Sequence, residues 1–567
     1  MLQNYKNDFA QILSNTSLDL DTDQIISNIE IVPSNIDGDL WFPCFRLSKE
    51  FKKSPNQIAQ DIVWEIDDPK IIEVWPYINY IVSDFELFQN LFENIQDQGK
   101  SYWKLPDKDI EIVLEWRQPN THKAFHIWHL RNALVWEAVS SCLERAGYDV
   151  HRVSYLWDIW AHVAKWIRYY INFSEPYSSE TLNRLSVETF IERAWKIYSD
   201  ATKKVDEDPE SYKPQIQKLQ KKLEDGDTEL NKIWQDTRTK CIQDFEAIFD
   251  ELWCDIQKWY YESDVEKPWI QKVKELLDSW VAQIGEWWSI IMDLEEYKLW
   301  IFLLLKSTWA SLYSTKDIWL AYLKQKDFPN YQKSLYIVGS EQEHHFRQLF
   351  KTLEIMWFPH DALQHISYGL VDLKDWKMSS RGWNVILYTQ LRDQLLQEAD
   401  KMIHDRNIPS DQKELITNQV AFWAMKFDML LPDASKKILF DPNEALSFEW
   451  ETWPYIQYTH ARCSSLLKKW KLDIQNINFN NLFDKYEKNL LIHLAQFSDY
   501  VSKAAEEFRP NYVARYLLDL SKLFNSYYNN TDKKITENNS SLALVFCIRQ
   551  VISNGLKILW IESPDEM

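Results

Sequence analysis

One strand, loop, helix and strand in the first third of the chain constrain its fold more than any other feature. The run DIEIVLEW (109–116) is continuously apolar, which is typical of a strand buried on both faces of a parallel sheet. From His129 to Arg145 apolar residues recur every four positions, which predicts an amphipathic helix, and Gly147 stands where a helix end favours glycine. The run YDVHRVSYL (148–156) predicts the next strand. This order predicts the first βαβ unit of a doubly wound sheet.

Patterning elsewhere divides the chain into three parts. The N-terminal part mixes helical stretches with one strand predicted at VWPYINYIV (74–82). In the central part, residues 175–250 are charged, lysine-rich and helical, which indicates an exposed insertion, and strand patterns resume at SIIMDL (289–294) and SLYIVGS (334–340). The remainder is almost wholly helical. We therefore expect a mixed N-terminal domain, an α/β core with an insertion, and an all-helical C-terminal domain.

The composition is that of an ordinary globular protein, with 45% hydrophobic and 26% charged residues. No apolar run approaches the length of a membrane span, and the N-terminus lacks the features of a signal peptide. The six cysteines are scattered without a Cys-x-x-Cys pair, which argues against a zinc site and favours a reducing compartment. A net charge of −21 argues against a nucleic-acid partner unless a local basic face overrides it. We expect a soluble, cytoplasmic protein.

Glycine is scarce and tryptophan abundant. The chain has 9 glycines and 29 tryptophans, whereas average usage gives about 40 glycines in a chain of this length. Helix ends and tight turns need glycine because it adopts positive φ without steric cost. Either the protein does without these residues, or tryptophan is written where glycine belongs.

Two polar motifs are candidates for phosphate chemistry. His126 and His129 stand at the start of a helix after a strand, where the backbone N–H groups and the helix dipole favour an anion. Taken alone, this spacing is more often that of ordinary surface or capping histidines. The run KMSSR (377–381) places Lys377 and Arg381 in a polar loop suited to a leaving pyrophosphate, although an isolated basic loop is usually only solvated.

Together the two motifs resemble the paired signatures of class I aminoacyl-tRNA synthetases, the first in the form HIWH and the second as a variant of KMSKS. The resemblance to arginyl-tRNA synthetases extends over nearly the whole chain. It is carried, in order, by GDLWFPCFRLSKEFKKSPNQIA (38–59), WPYINY (75–80), the segment from EWRQPN to HVAKW (115–166), LYSTKDIWLA (312–321), LYIVGSEQEHHFRQLF (335–350), WPYIQYTHARCSSLLKK (453–469) and LWIESPDEM (559–567).

The resemblance implies a multidomain α/β and all-α protein with a Rossmann-type class I core. Its expected domains are an α+β tRNA-elbow-binding domain (1–105), a catalytic domain (106–435) with a helical insertion around 175–265, and a helical-bundle anticodon-binding domain (436–567). It also implies ligation of L-arginine to tRNA(Arg) through arginyl-adenylate, with ATP as a substrate that brings Mg²⁺. No protein-bound metal and no membrane are expected, and a monomer is expected.

The resemblance assigns a role to each matched residue. ATP phosphates would meet His126 and His129 and the loop residues Lys377 and Arg381. Lys123 would compensate for Ser380, which stands in place of the second lysine of KMSKS. Further ATP contacts would come from Trp128, Met378 and Ser379. The arginine guanidinium would meet the carboxylates of Glu115 and Asp317 and the hydroxyl of Tyr313, while Asn120 and Gln342 would hold its α-amino and carboxylate end. Tyr512 and Met567 match tRNA contacts.

Tryptophan stands where the family has glycine in nearly every matched segment. The positions are Trp75, Trp128, Trp136, Trp157, Trp160, Trp300, Trp309, Trp319, Trp376, Trp383, Trp453 and Trp560, and Trp287 and Trp288 add an apparent turn. We expect that the gene reads UGA as glycine and that its translation used a code in which UGA means tryptophan. The competing interpretation is a genuinely tryptophan-rich, divergent protein.

Three other functions remain open at this point. The first is a catalytically inactive tRNA-binding paralogue, which follows if Trp128 and its neighbours are real. The second is a class I synthetase of another specificity, against which the paired acids argue because they suit a cationic substrate. The third is a tryptophan-rich binding or structural protein, which would leave the ordered synthetase segments unexplained.

Overall fold

The fold was taken from a computed structural model of the chain. It describes residues 2–18, 20–33, 36–102, 104–159, 161–306, 313–356, 358–374, 386–403, 410–447, 452–480, 484–530, 535 and 538–565, without the side chains of 117, 118, 265–271, 313, 360, 410 and 411. The chain forms two compact units. The first consists of residues 1–105, 448–504 and 512–567, and the second of residues 106–447 and 505–511.

The second unit is built on a five-stranded parallel sheet. Its strands, in spatial order, are β12 (Leu363–Tyr368), β11 (Lys333–Gly339), β5 (Glu111–Asn120), β6 (Asp149–Trp157) and β7 (Lys258–Tyr261). Glu115 of β5 pairs with Tyr336 of β11 on one side and with Val153 of β6 on the other. The central strands carry long apolar runs because both faces of the sheet are covered. The predicted βαβ unit is therefore present.

The helix that joins β5 to β6 is α6 (Ile127–Arg145), and it is buried nearly all round. The expectation of an amphipathic helix with a polar outer face is wrong, because α16 (Ser410–Leu430) contacts α6 in addition to the sheet. Gly147 ends the helix with φ +87, and a Cβ there would lie 2.0 Å from the carbonyl oxygen of Pro106. Only glycine fits this close approach.

The remaining elements of the second unit surround this sheet. The predicted insertion is a set of long helices, and a small antiparallel sheet and a two-stranded parallel pair complete the unit. The helices are α7 (Ala161–Phe173), α8 (Ser179–Arg184), α9 (Val187–Glu207), α10 (Pro209–Glu224), α11 (Thr228–Leu252), α12 (Glu262–Asp278), α13 (Tyr313–Asp327), α14 (Glu343–Ile355), α15 (Tyr388–Ile403) and α17 (Pro442–Ala445). The strands are β8 (Gln283–Ile284), β9 (Ile290–Asp293), β10 (Ile301–Leu305), β13 (Val371–Leu373) and β14 (Ile438–Phe440).

The first unit combines a four-stranded antiparallel sheet with helices from both ends of the chain. The strands, in the order β1–β2–β4–β3, are β1 (Glu30–Ile31), β2 (Leu40–Pro43), β3 (Ile71–Val74) and β4 (Tyr77–Tyr80). The single strand expected at 74–82 is instead the turn and second strand of a hairpin. The helices are α1 (Leu2–Ser14), α2 (Thr22–Ile26), α3 (Ser48–Phe51), α4 (Pro55–Glu65), α5 (Asp84–Gln98), α18 (Trp453–Lys469), α19 (Lys485–Ala495), α20 (Phe497–Glu506), α21 (Asn511–Asn530) and α22 (Asn539–Ile558).

Helix α22 is the one described helix long and apolar enough to cross a membrane by length and composition. The sequence expectation that no segment reaches this length is wrong in that respect. Most of the helix is buried within the first unit, as the core helix of a globular protein is, so its apolar character is weak evidence for a membrane span. The mixed α/β architecture with a helical C-terminal part agrees with the predicted fold class.

Candidate active site

The carboxyl ends of β5 and β11 form the crevice at which several predicted site residues lie. From β5 the chain extends the sheet through β6 and β7, whereas β11 and β12 extend it on the opposite side, so the strand order reverses between β5 and β11. Open α/β sheets bind their ligands at this switch point. Asn120 is the last residue of β5, Lys123 and His126 follow it, and Gln342 follows β11.

His126 and His129 form a stacked pair at the N-terminus of α6. Their ring centroids are 3.6 Å apart and their planes differ by 17°. The backbone N–H of His126 donates to Nδ1 of His129 over 3.3 Å. Because Nδ1 accepts, the neutral His129 ring carries its proton on Nε2, which is then a donor. Nδ1 of His126 is buried and has no hydrogen-bond partner in the described part of the chain.

Burial keeps both imidazoles neutral near pH 7. It lowers the pKa of His126 to about 3, and the positive charge of Lys123 acts in the same direction. It also holds the pKa of His129 well below its usual value. Burial lowers the pKa of the Lys123 ammonium to about 8, and its Nζ lies 5.5 Å from the Tyr198 ring centroid. Neutral donors beside one cation at a helix N-terminus suit phosphate oxygens.

The segment that carries KMSSR is attached at both ends to the start of α6. On its N-terminal side, the indole N–H of Trp128 donates to the carbonyl of Val371 in β13 over 2.7 Å. On its C-terminal side, the N–H of Ile127 donates to the carbonyl of Ile386 over 3.1 Å, and the N–H of Tyr388 to the carbonyl of Phe125 over 3.0 Å. The predicted residues Lys377, Met378, Ser379 and Arg381 lie outside the described residues.

Trp128 is half-buried beside the histidine pair. Its ring meets that of His126 edge to face, with 5.5 Å between the centroids. The indole therefore occupies space between the start of α6 and β13, where a glycine would leave a gap.

Of the other tryptophans expected near the site, the structure describes Trp157. Trp157, at the end of β6, pairs in register with Asn120 and is also half-buried. Trp160, Trp309, Trp376 and Trp383 lie outside the described residues.

The two acids expected to recognise arginine are buried and already engaged. Glu115 Oε2 accepts from Nζ of Lys324 over 2.8 Å, and both side chains are fully buried. Asp317 Oδ2 lies 2.7 Å from Nε2 of His345. Sequence reasoning missed Lys324 and His345. They lie in α13 and α14, and the pattern of a helix does not indicate which distant acid a basic residue will contact.

The other predicted substrate contacts occupy the switch point or its flanks. Asn120 is half-buried at the end of β5, and Gln342 is half-buried immediately before α14. Tyr313 begins α13, and its side chain lies outside the described residues.

Arg131 is a third residue that sequence reasoning missed. Its side chain is fully buried in α6, and one guanidinium nitrogen donates to the carbonyls of Asp433, Ala434 and Lys436 over 3.1 to 3.2 Å. Burial lowers the pKa of this guanidinium to about 10. Because residues 433–436 lead into β14, which pairs with β13, Arg131 fixes α6 against the strand that precedes KMSSR. The only signal in the sequence was a charged residue in an otherwise apolar helix.

The predicted tRNA contacts belong to the first unit. Tyr512 lies in α21 and is half-buried, with Nζ of Lys503 5.0 Å from its ring centroid. Met567 lies outside the described residues. Within the described residues, no group of three or more His, Cys, Asp or Glu side chains is arranged to hold a metal ion.

Comparison with known proteins gives this geometry a family. The sequence model described as "tRNA synthetases class I (R), catalytic domain" matches residues 92–441, the DALR anticodon binding domain matches 456–567, and the arginyl tRNA synthetase N terminal domain matches 3–81. The switch-point histidines, the parallel sheet and these matches define a class I aminoacyl-tRNA synthetase.

Full-length relatives narrow the class. The chain is 31% identical over 574 residues to an arginine–tRNA ligase of Clostridium botulinum, covering 99% of this chain and 100% of that one. It is 31% identical over 576 residues to arginine–tRNA ligase 1 of Bacillus cereus, with the same coverage. Its fold matches the arginyl-tRNA synthetase of Thermus thermophilus with a TM-score of 0.79 at 23% identity, covering 100% of both chains. The chain belongs to the arginyl-tRNA synthetase family.

Proposed function

We propose that this chain ligates L-arginine to tRNA(Arg) with consumption of ATP. The arginine carboxylate attacks the α-phosphate of ATP and pyrophosphate leaves. A hydroxyl of the terminal ribose of the tRNA then takes the arginyl group from the adenylate, and AMP leaves. The observation that carries the proposal is the neutral, stacked histidine pair at the switch point, with both ends of the KMSSR segment attached beside it. The full-length similarity to arginine–tRNA ligases supports the substrate.

The reaction asks for positioning and charge stabilisation more than for covalent chemistry. Nε2–H of His129 and Nδ1 of His126, which has no partner among the described residues, contact the phosphates of ATP, which arrives as its Mg²⁺ complex. Lys123 adds positive charge on the same side, in place of the lysine that Ser380 replaces. Lys377 and Arg381 act from the loop on the charge that develops on pyrophosphate, with Met378 and Ser379 beside the nucleotide.

The two acids expected to recognise arginine, Glu115 and Asp317, differ in how much of their negative charge is left for the substrate. Lys324 already neutralises Glu115, so Asp317 contributes most of the attraction for the guanidinium, and His345 orients its carboxylate. Tyr313 supplies a hydroxyl, while Asn120 and Gln342 hold the amino-acid end. In the same proposal, residues 1–105 bind the tRNA elbow, residues 436–567 bind the anticodon through Tyr512 and Met567, and residues 106–435 carry catalysis. The protein acts as a cytoplasmic monomer without a membrane.

We further propose that the active protein has glycine at many positions written as tryptophan, because UGA encodes glycine in its gene. Backbone geometry supports this. Among the described residues, eleven non-glycine residues have positive φ, and six are tryptophans, although tryptophan is only 29 of 567 residues. These six are Trp253, Trp280, Trp287, Trp288, Trp300 and Trp560. Positive φ costs a non-glycine residue about 1–2 kcal/mol, so a bulky aromatic is the wrong choice six times over.

Aminoacylation by two versions of the chain tests the activity. One version carries glycine at the twelve family positions and the other carries the written tryptophans. We expect the glycine version to charge tRNA(Arg) with arginine in an ATP-dependent reaction and the tryptophan version to bind ATP poorly. A folded glycine version that does not arginylate tRNA(Arg) would exclude the function. Equal ATP affinity of the two versions by calorimetry would show that the tryptophans do not block the nucleotide pocket. If both versions also fail to charge tRNA(Arg), the result favours the catalytically inactive paralogue.

The codon proposal has its own test. The tryptic peptide that spans residues 124–131 of the protein from its native source should have the mass of the sequence with glycine at position 128. A peptide with tryptophan at that position would refute the reassignment.

A further inference from the structure

A cavity in the helical insertion is lined by basic groups, and the described residues add no acid to its lining. It has a volume of about 300 Å³ and lies where α7 meets α9 and α10. Its polar lining consists of His162, Lys165 and Lys213 together with the amides of Gln217 and Gln220. In a chain with a net charge of −21, such a local excess of positive charge favours an anion.

Lys165 connects this cavity to the candidate active site. Its Nζ donates to the hydroxyl of Thr202 and lies 4.1 Å from the ring centroid of Tyr198. The ammonium of Lys123, in the loop before the histidine pair, approaches the same ring at 5.5 Å. Tyr198 therefore brings a cation of the insertion and a cation of the active-site loop together through one aromatic ring.

No ion pair joins the basic groups of the cavity to a carboxylate of the described residues. Lys165 makes no ion pair with the described residues, and Asp206 is exposed but close enough to oppose the effect of burial, which lowers the pKa of Lys165 to about 8. Nε2 of His162 is buried and has no hydrogen-bond partner among the described residues. Burial, followed by the charge of Lys123, holds the pKa of His162 well below its usual value. A buried ring nitrogen without a partner is costly, and an anion would accept from His162 and compensate the charge of Lys165.

We propose that this cavity binds a phosphate group, with Lys165 and Lys213 as its cations and His162 as a neutral donor. A phosphate presents several acceptor oxygens, which match two ammonium groups, an imidazole and two amides. The histidine pair is not part of this lining. The proposal rests on the proposed function only for the identity of the molecule that carries the phosphate. The carrier is either a nucleotide or pyrophosphate, or the backbone of the acceptor end of tRNA.

Direct binding measurements separate these carriers. Inorganic pyrophosphate is titrated by calorimetry, and tRNA(Arg) is bound in a filter assay at fixed salt, with the unsubstituted protein and with Lys165→Gln. We expect a loss of about tenfold in affinity for one of the two probes, as removal of a charge-assisted contact gives. Lys165→Arg should restore most of the loss because it keeps the charge.

The matched control is Lys218→Gln, which removes the same charge from an exposed position on α10 outside the cavity lining. Lys213 is exposed on the same helix, so Lys213→Gln repeats the test without disturbing packing. A loss for pyrophosphate alone identifies the nucleotide side, and a loss for tRNA alone identifies the acceptor end. If both glutamine variants bind both probes as Lys218→Gln does, the subsite is refuted. Binding does not require charging, so this result is independent of whether aminoacylation occurs.

Discussion

Two helices of the second unit end with the same pair of hydrogen bonds but with very different residues at the position of positive φ. At the end of α6, the N–H of Gly147 donates to the carbonyl of Glu144 and the N–H of Tyr148 to that of Leu143, over 3.2 and 3.1 Å. At the end of α12, Trp280 and Val281 make the same two bonds, over 3.1 and 3.0 Å. Both ends are Schellman motifs, and the residue with positive φ is glycine in one and tryptophan in the other.

The difference lies in what surrounds the residue. A Cβ at Gly147 would meet the backbone of Pro106 at 2.0 Å, whereas the side chain of Trp280 is 91% exposed and meets no obstacle. Schellman bonds also end α11 at Trp253 and α22 at Trp560, and they end α10 at Gly226. The backbone conformation thus favours glycine at five helix ends. Packing against neighbouring atoms excludes a side chain at only some of them. Open sites accept a tryptophan sterically, at the cost of an unfavourable φ.

The largest effect is expected where packing forbids a side chain. Gly147→Ala combines positive φ with a backbone clash, and we expect it to destabilise the protein by more than about 3 kcal/mol. Gly226→Ala is the matched control, because its φ is +86 and no atom lies within 4 Å of the added Cβ. That variant should cost only about 1–2 kcal/mol. Denaturant midpoints measure both, and equal losses would contradict the distinction.

The second effect concerns the active site, where tryptophan stands in a helix with ordinary backbone. Trp128→Gly removes an indole beside His126 and should lower the KM for ATP by about 100-fold in the aminoacylation assay. Loss of the hydrogen bond to Val371 opposes this gain, since it frees the strand before KMSSR. Trp75→Gly, at an exposed position in the first unit, is the control and should leave the KM unchanged. An unchanged KM in Trp128→Gly would show that the indole does not obstruct the nucleotide.

The sequence contained the order of the βαβ unit, the glycine at the end of α6 and the histidine pair, because these depend on local periodicity and on short motifs. It did not contain the pairing of Glu115 with Lys324, which are brought together only by the register of β5 and β11 and the packing of α13. The burial of α6 on all sides was missed for the same reason, since α16 comes from far along the chain. Matching of family motifs found Trp300 and Trp560, whereas Trp253 and Trp280 required the φ angles.

His122 is a buried residue with positive φ, and one of its two ring nitrogens contacts a hydroxyl group. Its φ is +64, and its Nε2 lies 2.8 Å from the hydroxyl of Thr237. Burial lowers the pKa of His122 to about 3, from a usual value of 6.5. The unfolded chain therefore binds more protons between these values, and the stability contribution is lost as pH falls below 6.5. We expect a loss of about 1 kcal/mol over the first pH unit, which His122→Gln should remove.

Urea unfolding of the unsubstituted protein and of His122→Gln is measured at about pH 6.5 and about one pH unit lower. The contribution of His122 is the difference between the two proteins in how much unfolding free energy each loses over that unit. His126, His129 and His162 also have lowered pKa values, so both proteins should lose stability on acidification. The informative quantity is the smaller loss in the variant. Identical losses would mean that His122 is protonated in the folded state.

The smallest effect is also the most direct test of the comparison between helix ends. Trp280→Gly should stabilise the protein by about 1 kcal/mol, because it relieves positive φ and gives up almost no burial. Trp64 is also 91% exposed but lies within α4 and has no positive φ. Trp64→Gly should therefore destabilise by about 1 kcal/mol, the cost of glycine in a helix. If the two substitutions change the free energy of unfolding in opposite directions, the effect of positive φ is separated from any effect of removing an exposed indole. Equal signs would mean that the end of α12 accepts tryptophan as readily as glycine.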